Sequence, residues 1–204
     1  LSLTKADGGL WILNPQSSNT YTGTTTVSGG ALRVANAAES VQGLSATSPL
    51  VLNGGVLETA TSFTRTLGAA VAGTGNVSLT GGASGFAAST ADRLVVTLGG
   101  GAVTWGGATF NPSSLVLGSS TALGETEFAN DINLGTAARS VTTNANANTG
   151  TMVTAGILSG VISGGVGGTL TKNGGGVLTL GNANTYVGNT ILSAGSLLVT
   201  SLGN

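Results

Sequence analysis

The 204-residue sequence contains no cysteine and no histidine, and only 6% of its residues are charged. Without thiols there is no disulfide, no thiolate nucleophile and no cysteine-ligated metal. Without imidazole as well, the usual nucleophile–base pairs of hydrolases cannot be assembled. Six basic and seven acidic residues are scattered along the chain and leave a net charge of −1. Nothing resembles the Lys/Arg stripe that phosphate binding needs, so neither nucleic acid nor an anionic membrane surface is expected as a partner. No apolar run approaches the roughly 20 residues of a membrane-spanning helix. The chain starts at Leu1 without an initiator Met or signal peptide, and so reads as a processed product or an excerpt.

What is present points to strands. The hydrophobic fraction is 40%, enough for a buried core, and 36 residues are Gly. Thr and Val suit an extended backbone, while Gly and Asn suit turns. Short runs of the two groups alternate, and no stretch of ten or more residues shows helical spacing with a cap. The predicted class is all-β.

The chain also returns to its own beginning. Residues 2–34 and 169–199 carry the same pattern. Leu3, Lys5, Gly9 and Leu13 fall on Leu170, Lys172, Gly176 and Leu180 at an offset of 167. Asn19, Tyr21, Gly23, Thr25, Gly30, Leu32 and Val34 fall on Asn184, Tyr186, Gly188, Thr190, Gly195, Leu197 and Val199 at an offset of 165. Two inserted residues near Pro15 account for the difference, and 15 of the 28 ungapped pairs are identical. Within each copy, short strands with period-2 alternation are separated by Gly turns and one Asn-rich turn.

Residues 35–168 continue as spacer with short strands of the same kind. Leu13, Leu32, Leu52 and Val71 recur every 19–20 residues, and Leu98, Leu117, Leu134, Val153 and Leu170 every 17–19. The 27-residue gap from Val71 to Leu98 suggests a loop over residues 81–90. This spacing predicts a parallel β-solenoid spanning residues 1–204, with about three strands per coil and about ten coils stacked at roughly 4.8 Å. A β-sandwich also accommodates strands every 8–12 residues. It seldom carries this much Gly, however, and does not bring the sequence back to its starting motif.

Residues 170–199, with LTKNGGGVLTL followed by NTYVGNT, and residues 3–34 resemble the passenger-associated repeat, also called the autotransporter-associated β-strand repeat. The first copy departs from the family pattern at residues 7–9 and 14–18. The resemblance implies a right-handed parallel β-helix on the bacterial cell surface or outside the cell, often the stalk of an autotransporter passenger. Its motif residues here are Leu3, Lys5, Leu13, Asn19, Tyr21, Gly23, Gly30, Leu32, Leu170, Lys172, Leu180, Asn184, Tyr186, Gly188, Gly195 and Leu197.

Candidate chemistry is sparse. Many β-helices cleave polysaccharides, and glycoside hydrolysis needs two carboxylates across one site. The acids are Asp7, Glu39, Glu58, Asp92, Glu125, Glu127 and Asp131, of which only Glu125, Glu127 and Asp131 cluster. A solvated surface patch is the simpler reading of that cluster, and Asp92-Arg93 suggests a local ion pair. The Gly runs at 99–101 and 174–176 lack the Lys-Ser/Thr of a phosphate loop and read as turns. Asn19 and Asn184 are expected to satisfy backbone groups at turns, with Tyr21 and Tyr186 covering them. Trp11 and Trp105 are expected in the core or at a coil edge. An isopeptide bond from Lys5 or Lys172 to an Asn is a minor alternative.

The expectation is therefore a structural, non-enzymatic module with no catalytic, metal or cofactor site. Exposed strand edges at both ends and low charge predict self-association, end to end or side by side. An adhesin stalk contacting cell surfaces or polysaccharide is the alternative, and a polysaccharide-active enzyme comes after that. At eight coils per unit, native fibres would repeat axially near 38 Å, from roughly 4.8 Å per coil.

Overall fold

A computed structural model describes residues 1–15, 17–34, 43–60, 62–144 and 154–201. The chain winds through short strands that pair, pass after pass, with their successors. The first passes carry β1 (Leu3–Lys5) and β2 (Leu10–Leu13), then β3 (Thr25–Val27) and β4 (Ala31–Val34). Next come β5 (Leu50–Leu52), β6 (Val56–Thr59) and β7 (Ser62–Arg65). Three passes follow: β8 (Val77–Ala88), β9 (Leu94–Leu98) and β10 (Val103–Thr104); β11 (Phe110–Leu117), β12 (Thr126–Phe128) and β13 (Ile132–Asn133); β14 (Arg139–Thr143), β15 (Thr154–Leu158) and β16 (Ile162–Ser163). The last strands are β17 (Leu170–Asn173), β18 (Val177–Leu180), β19 (Thr190–Leu192) and β20 (Ser196–Val199).

Every strand-to-strand pairing is parallel. The longest ladder runs β1-β3-β5-β8-β11-β14-β17-β19, a second runs β7-β9-β12-β15-β18-β20, and a third runs β10-β13-β16. Three parallel sheets built by one winding chain are a β-solenoid. Alternation decides what faces inward: in β5 and β9 every second residue is buried. The main core cluster runs from Val27 to Leu180, and a smaller one holds Val56, Ala87, Val116 and Ala122.

The step from a residue to its ladder partner is not constant. It is 22 residues from Leu3 to Thr25 and 20 from Leu170 to Thr190, but 31 from Leu79 to Phe110. The 17–20-residue spacing thus describes the chain's C-terminal end alone, where Leu170 pairs with Thr190 and Val177 with Ser196. The wider middle passes are filled by aromatics, with Phe63 against Phe86 at 5.1 Å, Trp105 against Phe110 at 5.4 Å and Phe110 against Phe128 at 5.8 Å.

Three expectations need correction. Val71 is not inward but 57% exposed, on the turn before β8. Leu98, Leu117 and Leu134 are all buried, yet Leu98 lies in β9 and Leu117 in β11, which belong to different sheets. Their spacing followed the chain around the coil and not up one face. Residues 81–88 are the second half of the longest strand and not a loop. Gly81 and Gly82 take positive φ there, which lets β8 bend without leaving its ladders. Any Cβ on Gly85 would collide with the Val116 backbone, so the strand needs a residue without one. Val153 lies outside the described residues.

Candidate functional site

The two motif copies are the sites to build up from their residues. In β1 and β17, alternation places Lys5 on the same face as Leu3, and Lys172 on the same face as Leu170. Both lysines are buried. Lys5 Nζ donates to the carbonyls of Asp7 (2.6 Å) and Gly29 (3.1 Å), and also pairs with the Asp7 carboxylate. Lys172 Nζ donates to the carbonyls of Gly174 (2.7 Å), Ala194 (3.0 Å) and Asn173 (2.7 Å). Asp7 and Gly174 are equivalent positions, as are Gly29 and Ala194. Each lysine therefore ties its own turn to the same turn of the next pass. Charge-assisted bonds of this kind offset the cost of burying an ammonium. Burial pushes the Lys172 ammonium below the ordinary lysine value, and the Lys5 hydrogen bond pulls Asp7 below the ordinary carboxylate value.

The motif glycines face the pass before them. A Cβ on Gly23 would strike Leu1, and one on Gly188 would strike Gly168. Gly30 and Gly195 both take positive φ, near +56° and +72°, and both sit against the carbonyls of the preceding Gly turn. Tyr21 bonds the Thr25 hydroxyl at 2.9 Å, and Tyr186 bonds Thr190 in the same way. Asn19 donates from Nδ2 to the Gly43 carbonyl in the pass after it (2.8 Å). Asn184 accepts at Oδ1 from the Ile162 N–H in the pass before it (2.8 Å). The two Asn side chains thus show the upward and the downward bond of one motif position.

The copies differ in what covers them. Val27 and Leu32 are fully buried beneath β5 and β6, whereas Leu192 is 51% exposed and Leu197 only half-buried. The Thr25 hydroxyl continues to Ser48 in the next pass at 2.9 Å. Above Thr190 a cleft of about 450 Å³ is lined by Leu180, Asn184, Tyr186, Thr190, Leu197 and Val199. At the other end Leu3 and Leu13 are half-buried and Trp11 is 42% exposed, while their counterparts Leu170, Leu180 and Leu178 are buried.

Two of the three clustered acids are spent on ion pairing. Arg93 donates to Glu125 (2.9 Å) and Glu127 (3.2 Å), and Ser159 donates to Glu127 (2.7 Å). The expected Asp92-Arg93 pair is replaced by these cross-strand pairs, because Glu125 and Glu127 lie on the next pass beside Arg93. Asp131 accepts the Val161 N–H at 2.7 Å. Among the described residues no group of three or more potential ligands could hold a metal ion. Glu39 lies outside the described residues. Trp105 is in the core and donates from Nε1 to the Pro112 carbonyl (2.9 Å).

Sequence reasoning missed other interior polar groups. Arg65 is buried, with its guanidinium on the carbonyls of Ser48 (2.5 Å), Ser45 (2.9 Å) and Gly75 (3.2 Å). Glu58 is buried beneath residues 118–124, where it accepts from Arg33 (2.7 Å), Ser119 (2.5 Å) and Thr121. The signal for the lysines was present in the alternation, since a charge two residues from an inward Leu shares its face. Glu58 carried no such signal, because Ser119, which donates to it, is 61 residues distant.

A family model, the passenger-associated-transport-repeat, matches the chain at residues 3–34 and 170–199. These are the two motif copies, and the family expected from their residues is the one found. Comparison with curated proteins and with solved structures gave no match.

Proposed function

We propose that the chain is a structural module: a stacked β-solenoid segment of a secreted or surface-exposed bacterial protein, built to supply stiffness and length. The observation that carries this is the lysine clamp. Lys172 is the only charged residue in residues 169–199, and it is spent on bonding one pass to the next. Lys5 does the same in the first copy. The other clustered charges are likewise committed to cross-strand pairs, which leaves little chemistry for a reaction. The family match supports a passenger role, and a surface or extracellular setting goes with it.

The test is electron microscopy of the native material. Six ladder steps separate β1 from β17, so a repeated unit would advance about 29 Å at roughly 4.8 Å per step. Extended stalks or filaments with that axial repeat are the expected result. Material with no extended element would overturn the reading.

A further inference from the structure

We propose that Asn173-Gly174 is a self-modification site, where the Gly174 peptide nitrogen attacks the Asn173 side-chain amide and Lys172 promotes the attack. The bond from Gly174 N to Asn173 Cγ forms and the Cγ–Nδ2 bond breaks. The nitrogen leaves as ammonia, carrying the proton lost from the Gly174 N–H. Water then opens the resulting succinimide at either carbonyl, leaving an aspartyl or an isoaspartyl residue at position 173.

The chain has two Asn-Gly steps, Asn53-Gly54 and Asn173-Gly174, and both read Asn-Gly-Gly, so local sequence does not separate them. In both, the glycine takes positive φ, near +110° at Gly54 and +77° at Gly174, and no side chain shields its nitrogen. What holds the reacting peptide group does differ. The Gly54 N–H donates to the Ser84 hydroxyl at 2.8 Å, which ties up the nucleophile. Among the described residues the Gly174 N–H makes no such bond.

At the second step the lysine clamp acts on the same peptide bond from its other side. Lys172 Nζ donates to the Asn173 carbonyl at 2.7 Å. Attack requires the Gly174 N–H to lose its proton, and amide resonance spreads the resulting charge onto that carbonyl oxygen. An ammonium bonded there stabilises the anion and so acidifies the N–H. The ammonium is fixed in place, because Lys172 is buried and Nζ also holds the carbonyls of Gly174 (2.7 Å) and Ala194 (3.0 Å). Asn173 Nδ2 donates to the Ser140 hydroxyl at 2.7 Å, which puts a proton relay beside the departing nitrogen. Asn173 and Gly174 are both only half-buried, so water reaches the succinimide.

The first copy cannot react in this way, since Ala6 and Asp7 stand at the equivalent positions. The isoaspartyl product adds a methylene to the backbone between carbonyls that Lys172 holds. The modification therefore loosens the clamp of the second copy and spares that of the first.

Incubation of the native chain at mildly alkaline pH, followed by peptide mapping with mass spectrometry, tests this. Exchange of the amide nitrogen for oxygen should be more than about tenfold faster at Asn173 than at Asn53, tenfold being what one charge-assisted hydrogen bond supplies. In urea both sites lose their neighbours, and the two rates should converge. Lys172→Met, with its strands confirmed by circular dichroism, should slow Asn173 about tenfold. Ser84→Ala should speed Asn53 by freeing the Gly54 N–H. Equal native rates would overturn the proposal, as would a difference that persists at full size in urea or a folded Lys172→Met that reacts as before. If Lys172→Met does not fold, the comparison of native chain with urea decides alone.

Discussion

Leu32 and Leu197 hold the same place in the same motif, yet one is sealed in the core and the other half-open. The bonds that join the motif's own two passes agree between copies. Gly30 and Gly195 sit on the same carbonyls, and Lys5 and Lys172 clamp equivalent turns. The bonds made toward the following pass do not agree. Thr25 has Ser48 and Asn19 has Gly43, and the second copy has no such cover among the described residues. A motif in a solenoid is thus half of an interface, and its stability belongs to its neighbours as much as to itself.

The largest expected break in this comparison comes from Leu32→Ala, which should cost about 2–5 kcal/mol by opening a cavity. Leu197→Ala should cost under about 1.5 kcal/mol, because less of its surface leaves water on folding. Urea denaturation of both variants checks this, and equal losses would mean that cover does not matter. Lys172→Met should cost about 1–3 kcal/mol by leaving turn carbonyls unpaired, again read by denaturation. Gly30→Ala and Gly195→Ala should each cost more than the about 1–2 kcal/mol of the backbone conformation, because the added Cβ would also strike the carbonyls of Gly9 and Gly174. Thermal melts should place the two close together, since the preceding pass is present for both.

Smaller effects separate the copies' electrostatics. Arg93→Gln should cost less than about 1 kcal/mol, and the cost should shrink further in high salt. In the first copy the Lys5 ammonium has the Asp7 carboxylate, where the second copy has Gly174. The Asp7 value is depressed on folding, so its contribution is present above the ordinary Asp value of about 3.9 and lost as pH falls through its folded value. The protection of the Gly9 amide relative to an unfolded chain at the same pH, which its 3.1 Å bond to Asp7 supplies, should fall in acid and in Asp7→Asn. The equivalent Gly176 should not respond.

Much of this was legible beforehand. Val27, Leu32, Leu178 and Leu180 declared their inward direction by alternation, and the two copies declared each other by identity. The buried lysines were legible in the same alternation, although a charge is ordinarily expected outside. Glu58 could not have been placed, since Ser119, which donates to it, is 61 residues away in the chain, and Arg65 is held by turn carbonyls that alternation does not locate.

The sequence by itself determined the strand class, the turns within the two motif copies and the return of one motif after 165 residues, because alternation and glycine act locally. Only the tertiary structure decided which strands share a face. Followed from ladder to ladder, Leu10 passes through Ala31, Val56, Gly85, Val116 and Thr142 to Asn173. Its counterpart in the second copy is Val177, four residues further on. The second copy is therefore shifted around the coil by about one strand. The reason is physical: the length of each pass is set by turns and by the width of the core they enclose, and a period-2 pattern carries no record of either.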